Sequence, residues 1–203
     1  MEKPQDDTQS NQSALDQSAR SAVSHMVGPI FMNADLSDFP ALLGKDVLSA
    51  LDAGRGLFIT GLPGRGKTHL AAALLRVVIN GIYNKSGCWK SVFFRHEADM
   101  LLEIRQAFSP GSMTSEGQMV EQFSYPDVLI VDDLGVTRAS EWVMQTIDVI
   151  VDRRYRAKKV TIVTSNLSLS EIGKRLGGRV SSRLAGMCEI IVLQGLDRRM
   201  MMN

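Results

Sequence analysis

Five short apolar runs punctuate this chain: Leu57 to Thr60, Ser91 to Arg95, Val128 to Val131, Val160 to Thr164 and Glu189 to Leu193. Each has the length of a buried strand, and helix-period patterns fill the intervals between them. Strands separated by helices need crossover connections, which predicts a five-stranded parallel sheet covered on both faces, an α/β fold. The interval between Phe94 and Asp127 is longer than one crossover needs. His96 to Phe108 reads as one helix, Ser109-Pro110-Gly111-Ser112 breaks it, and Glu116 to Phe123 reads as a second, so a helix pair is inserted around 96–123. Ahead of the first strand, Ala41-Leu42-Leu43, Val47-Leu48 and Leu51 recur at helical spacing toward Gly54. Residues 1 to about 25 are polar, with too few large apolar groups to offset the entropy of ordering them. The expected organisation is a disordered, loosely helical or partner-binding tail over 1–28 and one α/β domain over 29–203.

Composition narrows the function classes. At 203 residues the chain suits one domain plus a tail. Lys plus Arg number 23 against 22 Asp plus Glu, so the molecule is not a polycation, and any nucleic-acid contact must come from local patches. Cys88 and Cys188 have no paired spacing, which fits a reducing compartment and no zinc site. No apolar run approaches the roughly 20 residues a membrane span needs, and the N-terminus lacks a signal-peptide pattern. The expected location is cytoplasmic, with no membrane contact.

The chemistry begins at residues 61 to 68, GLPGRGKT, between the first apolar run and the helix pattern that starts at His69. This fits G-x-x-x-x-G-K-[ST] in the strand-to-helix setting that gives the pattern meaning. Glycine allows the positive φ angles that turn successive N–H groups inward as a nest for phosphate oxygens. The stretch is therefore read as a nucleoside triphosphate cradle formed by Gly61, Pro63, Gly64, Arg65, Gly66, Lys67, Thr68 and His69. Lys67 reaches the β- and γ-phosphates and Thr68 the magnesium ion.

The run Asp127 to Asp133 is an apolar strand ending in two carboxylates. Asp132 is placed to hold magnesium and Asp133 to act as the base that orients an attacking water. The strand-like segment Ser91 to Arg95 lies in sequence between the phosphate-loop strand and the aspartate strand, an arrangement typical of enzymes that hydrolyse the triphosphate. The next strand runs into Ser165-Asn166, where the amide of Asn166 can sense the γ-phosphate or the lytic water. Arg179 and Arg183, four residues apart, share one helix face that can enter a neighbouring subunit's site as an arginine finger, or stand as a solvated basic face.

Taken in order, GLPGRGKT, VLIVDDLGV, VDRRYRAKK, TIVTSN and GGRVSSRL resemble the DnaC-type replicative helicase loaders and the related IstB-type transposition helper ATPases, both AAA+ proteins. The resemblance covers roughly Phe31 to Leu193. It implies a P-loop αβα fold with ATP and Mg2+ as cofactors, Lys67 and Thr68 as Walker A, Asp132 and Asp133 as Walker B, Asn166 as sensor 1, and Arg183 as the finger with Arg179 beside it. It also implies ATP-dependent homo-oligomers, a hexameric replicative helicase as partner and single-stranded DNA along the inserted helices. Arg105 and the basic cluster 153–159 are the candidates for DNA phosphate contact, or form a solvated face.

Three departures are visible in the sequence. Asp133 stands where many AAA+ proteins have glutamate. Little follows Leu193, so no C-terminal lid domain is expected, and Arg198 or Arg199 is left as a loose match to a sensor-2 arginine. Only about 55 residues precede the first strand, where loaders of this type typically carry a helicase-binding domain. A transposition helper and a low-turnover nucleotide-switch adaptor therefore stand beside the loader as readings. A small-molecule kinase fits less well, since neither lid arginines nor an acceptor pocket are evident.

Overall fold

The computed structural model describes residues 6–39, 41–81, 91–107, 113–195 and 197, with side chains for all of these except 6–14 and 41–46. Helix α1 (Asp6–Met26) is followed by two 3-10 turns (Pro29–Phe31 and Leu36–Asp38) and α2 (Ala41–Asp52). Then come β1 (Gly56–Thr60), α3 (Lys67–Ile79), β2 (Val92–His96), α4 (Glu97–Gln106), α5 (Glu116–Ser124) and β3 (Val128–Asp132). The chain continues through α6 (Glu141–Arg156), β4 (Val160–Ser165), α7 (Leu169–Leu176), α8 (Gly178–Met187) and β5 (Cys188–Val192). All strand pairs are parallel, in the order β2-β3-β4-β1-β5. The five strands and both inserted helices fall where the sequence pattern put them, within a residue or two at each end. The break at 109–112 lies outside the described residues.

Successive strand side chains point to opposite faces, so each central strand contributes to two cores. Leu57, Ile59, Ile130 and Ile162 pack with α1, α2 and α3 on one face. Phe58, Leu129, Val131 and Val163 pack with α4 to α8 on the other. Strands β1, β3 and β4 are buried nearly throughout, whereas the edge strands β2 and β5 are half-covered. Local chemistry sets the helix starts. Ser140 caps α6 by accepting from Val143 N–H, and Ser115 with Gln118 and Ser168 with Glu171 form capping boxes at α5 and α7.

Of the alternatives for the N-terminal segment, the structure shows a helix rather than a disordered stretch. Residues 6–26 form a helix docked on α3, with Ala19 and Val23 fully buried and Arg76 donating to Asp16 and Asp35. Among the described residues, Ala19, Val23 and Met26 pack it on the core and an ion pair spanning 60 positions ties it down, and a pairing at that distance does not register in a count of large apolar groups. No described helix is long and apolar enough to cross a membrane. Cys188 is buried against the sheet and its thiol is pushed up to about 12 by desolvation, so it is a core residue that stays protonated at neutral pH.

Candidate nucleotide-binding site

The site forms where the carboxyl ends of β1, β3 and β4 meet the first turn of α3, the position at which open parallel sheets bind ligands. Gly66 caps α3 with φ 88° and Gly64 sits at φ 77°, left-handed conformations that a side chain would strain. The first helical bond of α3 runs from Leu70 N–H to Gly66 O at 2.9 Å, so the N–H groups of the preceding turn aim out of the helix end. Lys67 is only 6% exposed and folds its Nζ back onto Gly61 O (2.8 Å) and Leu62 O (2.9 Å). Arg65 Nη1 is buried with no hydrogen-bond partner among the described residues. Two cationic donors and a helix N-terminus converge on one loop, a donor set that fits a polyphosphate.

His69 behaves differently from the rest of the loop. Its Nε2 lies 2.6 Å from Asp38 Oδ2 and its ring packs near Phe31 and Phe39. The imidazole is thus tied to the segment before α2, and what His69 can offer a phosphate is its backbone N–H. Beyond β5, the Asp197 carboxylate stands against the loop where a Cβ on Gly64 would collide with it. Arg198 and Arg199 lie outside the described residues.

Asp132 ends β3 fully buried. Thr68 Oγ1 donates to its Oδ2 at 2.9 Å, and Thr164 Oγ1 donates to its Oδ1 at 2.5 Å. His96 Nδ1, paired with Asp132 in the β2–β3 register, lies 3.0 Å from Oδ2, and that hydrogen bond holds the imidazole above its ordinary pKa. Thr68 and Asp132 together are the oxygen donors a hydrated magnesium ion would take beside phosphates. Among the described residues no cluster of three His, Cys, Asp or Glu could hold a metal unaided.

Asp133 follows in a left-handed conformation, φ 57°, which aspartate tolerates better than most residues. Its N–H donates to Thr164 Oγ1 at 2.9 Å, Leu134 N–H to Thr164 O at 2.8 Å, and Ser165 Oγ to Leu134 O at 2.6 Å. The Asp132 carboxylate and the backbone of Asp133 are therefore pinned to the end of β4. Asn166 is exposed just past that strand. The loop after Asp133 is gripped from both sides: buried Glu97 of α4 accepts Thr137 N–H at 2.9 Å, and Arg175 of α7 donates to Thr137 O at 3.1 Å.

Thr164, His96, Glu97 and Arg175 were not singled out from sequence. Thr164 carried one signal, a hydroxyl in the last turn of an apolar strand. The others acquire their place only through strand order.

Arg183 is not brought to this site. On α8 it donates from Nη1 to Asp148 Oδ1 at 2.7 Å and from Nη2 to Asp152 Oδ1 at 2.6 Å, both carboxylates belonging to α6 of the same chain. Arg179, one turn earlier, is 74% exposed. The basic cluster 153–159 also divides. Arg154 is fully buried and makes five hydrogen bonds, to Thr161 Oγ1 and to the carbonyls of Phe123, Ser124, Pro126 and Val160. Arg156 pairs with Asp152 and Lys159 with Asp127. Arg154 is thus withdrawn from any surface role, whereas Arg156 and Lys158 remain exposed. Arg105 lies over the Trp142 ring at 4.7 Å.

Against known proteins, residues 42–199 match the model for the IstB-like ATP binding protein family. The Escherichia coli K12 replicative helicase loader DnaC is 36% identical over 126 residues, which are 62% of this chain and 48% of that protein. A protein of insertion sequence IS5376 from Geobacillus stearothermophilus, named for ATP binding, is 29% identical over 133 residues, 66% of this chain and 49% of that one. A crystal structure of the DnaC helicase loader superposes with TM-score 0.65 at 28% identity, covering 81% of this chain and 98% of the other. The chain spans about half the length of the curated relatives it matches. With the phosphate loop, the buried strand-end aspartate and the family match over 42–199 in agreement, the chain belongs to the IstB-like ATP-binding proteins, the group that the DnaC-type resemblance pointed to.

Proposed function

We propose that this protein is an ATP-dependent loader that assembles on ATP and delivers a hexameric replicative helicase to single-stranded DNA in the cytoplasm. The observation that supports it most is the convergence of Thr68 and Thr164 on buried Asp132 in a chain 36% identical to the E. coli loader. Thr68 and Asp132 would hold Mg2+, which would supply charge neutralisation to the bound triphosphate.

Lys67 Nζ exchanges its two carbonyl acceptors for phosphate oxygens, a move within the reach of its flexible stem. Asp133 accepts a hydrogen bond from the attacking water and orients it, Asn166 contacts the γ-phosphate side, and Arg183 of a neighbouring subunit completes the charge compensation. Pinning by Thr164 keeps Asp133 in register with Asp132, so water orientation and metal holding depend on one hydroxyl. The inserted helices α4 and α5, with Arg105, supply the DNA-facing surface.

The likeness to the IS5376 protein supports a second reading, a helper ATPase that presents target DNA in transposition. Native mass spectrometry of the purified chain with the host's replicative helicase and ATP separates the two. A defined complex of helicase with several copies of the chain is the expected outcome. ATP-dependent self-assembly on DNA without helicase binding would replace the loader by the transposition helper.

A further inference from the structure

Among the described residues, a dense set of ion pairs outside the nucleotide site joins α6 to α8. Asp148 and Asp152, one turn apart on α6, face Arg183 as a matched pair, each taking one nitrogen of its fork at 2.7 and 2.6 Å. The Arg183 side chain is 18% exposed, against 74% for Arg179 on the same helix. Each carboxylate also has a second arginine within reach. Asp152 Oδ2 pairs with Arg156 at 2.7 Å, and Asp148 Oδ2 lies 3.7 Å from Arg179.

We propose that Asp148 and Asp152 are positioning residues that latch Arg183 to its own subunit, so that an ATP-loaded neighbour must draw the arginine off before it completes the shared site. The inference rests on the reading of Arg183 as the residue acting in trans.

Charge is the first reason. A guanidinium between two carboxylates presents little net positive potential, so while held it can do little for charge on a transferring phosphate. Competition is the second. A triphosphate offers the guanidinium fork acceptor oxygens in the same paired geometry as the carboxylates, so a loaded neighbour can compete for the arginine where an empty one cannot. Reversibility is the third. When Arg183 leaves, Asp152 keeps Arg156 and Asp148 keeps Arg179, and neither carboxylate is stranded unpaired in a half-buried setting. A purely structural clamp has no need of these spare partners.

The test compares wild type, Asp148→Asn, the double variant Asp148→Asn/Asp152→Asn, Arg183→Ala, and the triple variant. ATP turnover per subunit is followed against protein concentration, with self-association in a slowly hydrolysed ATP analogue measured by sedimentation velocity. Loss of the latch moves the midpoint of both curves to about three- to tenfold lower protein concentration, with plateau turnover undiminished. Asp148→Asn alone moves it the same way by less, and decides the matter if the double variant does not fold. In the Arg183→Ala background the carboxamides move the self-association midpoint no further. A fall in plateau turnover at an unchanged midpoint, an unchanged curve, or a shift that persists without Arg183 overturns the latch. Wild-type plateau turnover by Arg183→Ala alone would instead overturn the trans reading, a separate failure.

Discussion

One hydroxyl carries much of the candidate site. Thr164 gives its proton to Asp132 Oδ1 and receives the N–H of Asp133, so a single side chain sets the direction of one carboxylate and the backbone of the next. Thr164→Val keeps the shape and β-branching but deletes both bonds, leaving a buried carboxylate oxygen short of a donor at a cost of about 1–3 kcal/mol. The expected result is at least a roughly tenfold loss of single-turnover hydrolysis, because water orientation contributes on the order of 10²–10⁴-fold, with a much smaller change in nucleotide affinity. Equilibrium binding of a fluorescent ATP analogue beside quenched-flow turnover reads both. An equal loss in the two would place Thr164 in binding, and no loss in either would remove it from the site.

Between elements, the same economy recurs at Arg154. Its guanidinium reaches from α6 to the carbonyls that end α5, to Pro126 ahead of β3 and to the start of β4. Burial pushes its pKa down to about 9, so it remains charged at neutral pH and depends on these acceptors. Arg154→Leu leaves four backbone carbonyls without this donor and should cost a few kcal/mol, each buried acceptor left unsatisfied costing on the order of 1–3 kcal/mol. Urea unfolding measures it as a lowered midpoint. Arg154→Lys should recover little, since one ammonium cannot span the fork. A loss below about 1 kcal/mol would show that water replaces the arginine at no great cost. This residue also explains why VDRRY reads as a motif although part of it never meets solvent: Asp152 faces Arg183, Arg154 faces the core, and only their neighbours remain for surface work.

For the whole molecule, the site is divided between subunits if Arg183 acts in trans, and that division can be tested by mixing. A Lys67→Ala chain lacks the phosphate contact but still offers Arg183, whereas an Arg183→Ala chain holds nucleotide but offers no finger. Each alone should turn over ATP poorly. An equimolar mixture in a head-to-tail assembly should recover about a quarter of the wild-type rate per site. A mixture no more active than its components would place both residues in one subunit's chemistry. The α1 helix belongs to this scale too: docked on α3, the helix that carries Lys67 and Thr68, it connects the N-terminal segment physically to the phosphate loop.

The sequence by itself determined what is local. The five strands, the inserted helix pair, the glycine loop and the strand-end aspartates are legible because each is written in contiguous residues with a period of 2 or 3.6, or with glycine where φ must be positive. Tertiary structure alone decided what depends on strand order. Inserting β4 between β3 and β1 put Thr164 on Asp132, and pairing β2 with β3 put His96 there as well. It also decided the fate of charge. Sequence shows a cation only as a cation, whereas packing divides them: Arg154 into the core, Arg183 onto Asp148 and Asp152, Arg76 onto Asp16, and Arg179 into solvent. The physical reason is that an ion pair contributes according to the distance and burial of its partner, and for Arg183 that partner lies 31 to 35 positions away along the chain, where no local pattern records it.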